Sequence, residues 1–476
     1  MIEKFKPAAP EKKGIQQIGK LIYALCLGLI LISGPGCSVY RTYTLPLEDE
    51  IKAIEGDTRM PDSQDPWWES FGDDQLNRHI ATALDRNFSL TAAWERLTAA
   101  KAVARKTASS LYPSLNASGG LDREIDRGEK TDQLTFGAAA SYEVDLWGRI
   151  RSQTDAEALR VQASEEAFRT AALSLSADIA VTWMRLIEAY SQHALLERQL
   201  RTNDNTLEIL KARFATGLVR SEDILRQQLL NREIEEEKII VETEMKTLEH
   251  QISLLRGELP LNKTYRVSRA LPVLTPVPSL SSGSVTRRPD IRKAYFDIRA
   301  ADKDLAAAVR DQYPQLTLSA SYISEAATPG NLFSNWITAL AGAVVSPLFD
   351  GGRRQAEVSR REALRSELIA LYGETVLQAF REVEDALINE KNQGRRIKNL
   401  EERLDLAGNS YDQVRLGYFS GANDFLSVLV ARYQLQSVER DLLLARRNLV
   451  EYRISLYRAL AGGFKTPDKT KKQKDN

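Results

Sequence analysis

The sequence predicts a mainly α-helical protein with a small transmembrane β part, built from a duplicated unit that runs helix, two short strands, long helical hairpin. Three observations predict it. The first is a repeat about 200 residues long. Leu111-Tyr112-Pro113-Ser114-Leu115, Tyr142-Glu143-Val144-Asp145-Leu146-Trp147-Gly148-Arg149 and Arg213-Phe214-Ala215-Thr216-Gly217 return as Gln312-Tyr313-Pro314-Gln315-Leu316, Ser346-Pro347-Leu348-Phe349-Asp350-Gly351-Gly352-Arg353 and Gly417-Tyr418-Phe419-Ser420-Gly421. Duplicated units of one kind bury their apolar faces against one another, so the fold is expected to be pseudo-symmetric. The second is the scarcity of helix breakers, with 16 Pro and 26 Gly in 476 residues. The third is a pair of segments in each copy whose apolar residues alternate with period two.

The N-terminus comes first. Lys4, Lys6, Lys12, Lys13 and Lys20 precede the apolar run Leu21 to Ile32, which is too short to span a bilayer and has the pattern of an export signal over residues 1–36. Of the two cysteines, Cys26 lies inside that run and Cys37 follows Gly34-Pro35-Gly36. Small residues before a cysteine resemble a bacterial lipobox, which implies cleavage and lipidation at Cys37. Gly34 and Pro35 depart from the usual Leu-plus-small pattern, and an unmodified thiol is the alternative. Ser38 is, by the rule for such lipoproteins, permissive for outer-membrane sorting. Residues 37–73 then form an N-terminal anchored segment.

Repeat 1 spans residues 74–259 and repeat 2 residues 289–462, joined by a linker at 260–288 and followed by a polar tail at 463–476. Strands are expected at 113–123 and 134–146, where Phe136, Ala138, Ala140, Tyr142 and Val144 share one face, and at 315–324 and 336–346, where Leu316, Leu318, Ala320 and Tyr322 do. Each run has the length of a membrane-barrel strand. The charged segment Glu124 to Asp132 and the Pro- and Gly-containing segment Glu325 to Asn335 read as the outward loops. Four strands leave two open edges, and the smallest single-chain barrels have eight, so chains must pool their strands. A soluble sheet covered by helices is the alternative.

The hairpins follow at 148–257 and 353–461. From Gly148 to Phe214 there is no proline and no further glycine, a helix of about 100 Å at 1.5 Å per residue. The returning helices carry Val241, Met245, Leu248, Ile252 and Leu255, then Leu435, Val438, Leu442, Ala445, Leu449, Tyr452 and Leu456. Their alternating steps of three and four are coiled-coil packing. Gly217 and Gly421 mark the turns, with Ser221 and Asn423 placed to cap the next helix.

Little chemistry is offered. His79, His193 and His250 stand alone, without a Cys or carboxylate set at ligand spacing, and read as surface residues. No phosphate loop or nucleophile motif appears, so no catalytic residue, cofactor or metal is expected, and the chain is not read as an enzyme. Basic and acidic side chains balance at 65 each, which argues against a nucleic-acid partner.

Together these motifs resemble the TolC-like outer-membrane efflux proteins, in particular the NodT/OprM-like lipoprotein branch that serves resistance-nodulation-division pumps. The resemblance covers residues 37–462. It adds Pro66-Trp67-Trp68, Phe71-Gly72-Asp73 with Leu76, Ala83-Leu84 with Asn87 and Leu90, and Arg287-Arg288-Pro289-Asp290-Ile291 to the motifs above. It implies a homotrimer with a 12-stranded barrel in outer-membrane lipid and a 12-helix tunnel through the periplasm. A periplasmic adaptor and an inner-membrane pump are the implied partners. Adaptor docking is carried over to the two tips, Arg213, Phe214, Gly217, Leu218 and Val219, with Tyr418, Gly421 and Ala422. Relatives usually place an aspartate of the context Leu-Leu-Asp-Ala at the constriction, and here that position is Val430. Asp424, Leu426, Leu429 and Arg432 are then the expected constriction residues. A TolC-type protein-secretion duct and a periplasmic coiled-coil adaptor or scaffold remain the rival readings.

Overall fold

The computed structural model describes residues 45–46, 66–261, 263–265, 267, 270–272 and 287–460. The export signal, Cys37, much of the 260–288 linker and the tail lie outside the described residues. In chain order the elements are α1 (Asp74–Arg86), α2 (Phe88–Ala108), β1 (Ser114–Asp126), β2 (Glu129–Val144), α3 (Arg149–Ala215), α4 (Ser221–Leu255), α5 (Pro289–Arg310), β3 (Gln315–Ala326), β4 (Trp336–Val345), α6 (Arg353–Phe419) and α7 (Phe425–Ala459). This is the mainly α, duplicated fold the sequence predicts, with α2-β1-β2-α3-α4 answered by α5-β3-β4-α6-α7.

The strands of both repeats join in one antiparallel sheet ordered β1-β2-β3-β4. Cross-strand rows sort the side chains by chemistry. Leu115, Ala140, Ala320 and Leu340 form one row, and Ala117, Ala138, Tyr322 and Thr338 the next row on the same face. The opposite face carries Ser114, Ser141, Ser319 and Ala341, then Asn116, Ala139, Ser321 and Ala339. One face is thus apolar and the other small and polar, the division that separates lipid from lumen in a membrane barrel. α3 also contains an 18-residue window apolar enough to cross a membrane, but 67% of that window is buried in the helical body. The sheet, not α3, presents the bilayer-facing surface.

β1 and β2 run to 13 and 16 residues, longer than the expected 113–123 and 134–146. The charged segment Glu124 to Asp132 is therefore mostly paired strand, and only Arg127-Gly128 turn. Both have positive φ, 50° and 92°, which is the twist a two-residue hairpin requires. Arg123 and Asp132 face each other across the ladder at 2.5 Å and extend the pairing beyond the apolar rows.

The motif at the sheet-to-helix junction has a geometric explanation. Glu143 accepts from Arg149 at 2.7 and 2.8 Å, and Asp145 caps α3 by accepting from the main-chain N–H of Ile150 and Arg151 at 3.0 and 2.9 Å. Trp147 donates from Nε1 to the Pro314 carbonyl at 2.7 Å and stacks on Tyr313. Asp311 receives Arg149 at 3.8 Å and Arg354 at 3.1 Å, so the first residues of both long helices converge on one carboxylate.

The core sits midway along α3. Trp183, Met184, Leu186 and Ile187 are fully buried among Trp67, Trp68, Phe71, Leu76 and Ile80 on one side and Ile252, Val450 and Ile454 on the other. Asp73 holds the α1 end of this core. It caps α1 by accepting from the N–H of Gln75 and Leu76, while its second oxygen accepts from Trp183 Nε1 at 2.9 Å. Arg288 does the same for repeat 2, donating to the Ala459 carbonyl at 2.9 Å and pairing with Asp290 and Glu382.

His79 departs from the surface role expected of it. It is buried, packed against Trp183 and Tyr265, with Arg256 donating to its Nδ1 at 3.1 Å. His193 is half-buried beside Glu242 at 3.1 Å, and His250 is exposed. Burial, helped by the Arg256 charge, pushes the His79 imidazole down to about 4.

Two outcomes test this core. Asp73→Ala removes a helix cap and strands the Trp183 indole N–H, and is expected to cost about 2 kcal/mol, read as a lower thermal midpoint by circular dichroism, with Asp73→Asn milder. Because His79 binds a proton more weakly folded than unfolded, stability is present above pH ~6.5 and is lost as pH falls toward 4, by up to about 3 kcal/mol. A denaturant series between pH 7 and 4 should show that slope in the parent and a shallower one in His79→Phe.

Candidate functional site at the helical tips

The distal ends of the two hairpins are the candidate site. At the first, Gly217 sits at φ 73° and closes the turn, with the Leu218 N–H donating to the Arg213 carbonyl at 3.0 Å and the Gly217 N–H to Phe214 at 2.9 Å. At the second, Gly421 sits at φ 81°, and the Ala422 N–H donates to the Gly417 carbonyl at 2.8 Å. An L side chain at either position is strained, which is why glycine stands at both.

Capping differs from the sequence expectation. Ser221 is the first residue of α4 and its neighbour Arg220 occupies the cap position without a side-chain bond. Asn423 turns back to donate to the Val414 carbonyl at 3.2 Å, and Asp424 caps α7 by accepting from the Ser427 N–H and hydroxyl at 2.9 and 2.6 Å. Those bonds, the hydroxyl foremost, hold the Asp424 carboxylate below the usual range.

The two tips are joined. The Arg213 guanidinium lies 4.9 Å from the Tyr418 ring and 5.7 Å from that of Phe419. Val219, Ile224, Val414 and Tyr418 pack with Leu210, Tyr411, Phe425 and Val428 in a single apolar cluster. Of the expected docking residues, Phe214, Gly217, Leu218, Gly421 and Ala422 are exposed, and Arg213, Val219 and Tyr418 are half-buried. Phe419 joins the exposed set. Its place beside Tyr418, which aligns with Phe214 in the repeat, was the available signal.

Above the tips the structure separates the expected constriction residues. Leu429 packs inward among Leu196, Leu200, Leu230 and Ile234. Arg432 is buried, and its partners are all neutral: Asn203 Oδ1 at 3.2 Å, Thr206 Oγ1 at 2.6 Å, the Tyr411 hydroxyl, and the Tyr411 ring at 5.0 Å. Gln436 shares Asn203 Oδ1 at 3.2 Å. Arg432 therefore ties α3, α6 and α7 together and does not line an open surface. Its helix instead presents Leu426, Val430 and Tyr433, spaced four and three residues apart, as an exposed apolar stripe, with Val430 48% exposed.

Comparison with known proteins places this geometry. The family model described as outer membrane efflux protein matches residues 79–258 and 280–462. The chain is 27% identical over 425 residues to the pyoverdine export outer membrane protein OpmQ of Pseudomonas aeruginosa, covering 86% of this chain and 90% of OpmQ. It is 28% identical over 469 residues to the outer membrane protein OprJ of the same organism, covering 94% of this chain and 96% of OprJ. Among solved structures, CusC superposes with a TM-score of 0.80 at 25% identity over 90% of this chain and all of its own.

Replacing Arg432 by Leu removes the donor that Asn203 Oδ1, Thr206 Oγ1 and the Tyr411 hydroxyl share. A loss of about 2–3 kcal/mol of local stability is expected. Hydrogen exchange should show α7 amides over residues 425–436 exchanging at least tenfold faster, with the core around Trp183 unchanged.

Proposed function

The chain belongs to the outer membrane efflux protein family, and from that premise we propose that it is the outer-membrane exit duct of a tripartite efflux pump. It is a homotrimer, it receives cargo from a periplasmic adaptor and an inner-membrane pump, and it conducts small toxic compounds passively, without catalysis. The observation that carries this reading is the joining of two parts. A four-stranded sheet with an apolar face and two bare edges sits on two 67-residue helices, each about 100 Å long. Three such sheets supply the strands of a closed barrel, and the helices continue it as a conduit.

The tips dock the adaptor. Phe214, Leu218 and Phe419 supply exposed apolar contact, and Arg213 and Tyr418 brace the two turns against each other so that they are met as one surface. Cys37 carries the lipid anchor. The constriction is formed by the Leu426, Val430 and Tyr433 stripe of α7, with Asp424 at its lower end, and it closes by excluding water from an apolar ring where relatives use carboxylates. Energy for transport comes from the pump.

Two experiments test this reading. Reconstituted protein should form discrete conductance steps in planar bilayers, and a deletion strain should accumulate a dye or toxic compound that the parent exports; protein without channel activity would reject it. Within that assay, Val430→Asp places three carboxylates at the ring and is expected to raise both conductance and cation preference severalfold, whereas Arg432→Lys should leave ion preference unchanged.

A further inference from the structure

Over the hairpins the two repeats are related by a step of 204 residues, from Gly148 to Gly352 and from Gly217 to Gly421. Each contact made by α3 thus has a counterpart that α6 should make. Below the core α3 is flanked on both sides, by α4 and by α7, whereas α6 is flanked by α7 alone. The element one step before α7 is α4, and the chain's own α4 is already committed to α3.

The apolar clusters make the vacancy specific. Leu196 and Leu200 of α3 pack with Ile234 and Val241 of α4 and with Leu429 of α7. One step on, Leu400 and Leu404 of α6 pack with Val438 and Ala445 of α7. The counterpart of Leu429 is Leu225 on α4, which is absent from this second cluster and 63% exposed. We propose that Leu225 of one copy closes the Leu400–Leu404 cluster on α6 of the next, with Glu236 of α4 paired to Arg403 and Arg396 of α6 along the same seam.

The charges agree with this assignment. Within the chain Arg440 donates to Gln199 Oε1 at 3.0 Å, and Gln192 donates to the Arg440 carbonyl at 3.0 Å. One step away these residues are Glu236, Arg403 and Arg396, of opposite sign and without a salt bridge among the described residues. Glu402 stands at the counterpart of Arg198 and meets Glu235, but Glu235 is already neutralised by Arg232 at 2.5 Å. Nearer the sheet, where α2 and α5 align with a step of 201 residues (Pro113 to Pro314), Asp304 corresponds to Val103, and its ion-pair partner Arg160 corresponds to Leu364 by the hairpin step; the two are exposed apolar side chains suited to each other. The seam is heterologous, α4 of one copy on α6 of the next, and closes into a ring when three copies have each contributed both faces.

This seam rests on the trimeric reading of the duct, and its test separates the two. Glu236→Cys with Arg403→Cys, in the full-length protein treated in membranes with a short bis-maleimide, is expected to give crosslinked dimers and trimers on denaturing gels, and either single substitution none. Leu225→Asp should reduce the trimer fraction at least tenfold by native mass. Leu406→Asp should not, since Leu406 is 69% exposed and its counterpart Thr202 stays exposed on the fully flanked α3. A trimer that neither crosslinks through 236 and 403 nor responds to Leu225→Asp overturns the seam and leaves the duct intact. A monomeric parent protein overturns the trimer itself.

Discussion

The constraint on which the rest of this architecture depends is the hydrogen bonding of two strand edges. β1 and β4 each have a partner on one side only, and the apolar face they share belongs in hydrocarbon, where every unpaired backbone N–H or C=O costs several kcal/mol. No rearrangement of four strands within one chain satisfies both edges. Copies of the chain must complete the sheet, and once they do, the helices that hang from each strand pair are carried into a ring as well. Assembly of several copies is thus a consequence of backbone chemistry in the membrane, and the helical conduit follows from it.

What connects the membrane part to the conduit is a compact set of polar contacts. Glu143, Asp145, Trp147 and Arg149 each have a separate task at the turn from β2 into α3, and Asp311 gathers Arg149 and Arg354 from the two long helices. Midway along, Asp73 joins the start of α1 to the indole-rich core around Trp183, and Arg288 joins the start of α5 to α6 and α7. Toward the tips the packing changes character. Beside the apolar cluster of Leu210, Tyr411, Phe425 and Val428, Arg432, Asn203, Thr206 and Gln436 hold α3 to α7 through directed bonds between neutral and charged groups.

Much of this was legible in the sequence because it rests on periodicity. The duplication, the alternating strands, the 3.5-residue helical seams and the tip glycines are all one-dimensional patterns. What was not legible depends on which way a side chain turns in three dimensions. Nothing in the sequence neighbourhood of His79 announces Trp183, Tyr265 and Arg256 around it. Of the four constriction residues the sequence offers, Leu429 and Arg432 turn inward, and a rotation of about 100° per residue leaves Leu426 on the exposed face with Val430 and Tyr433. The charged Glu124 to Asp132 segment read as a loop by composition, while the turn geometry at Arg127-Gly128 lets it continue as strand.

The measurement that bears most directly on the central claim is the native mass of the protein extracted from outer membranes in mild detergent. A particle of three chains, about three times the 53.4 kDa of the full sequence, is the result the account predicts, because three sheets close the 12-stranded barrel with every edge paired. A single-chain particle recovered from the same membrane fraction would contradict it, since a lone four-stranded sheet has no means of satisfying its edges in lipid.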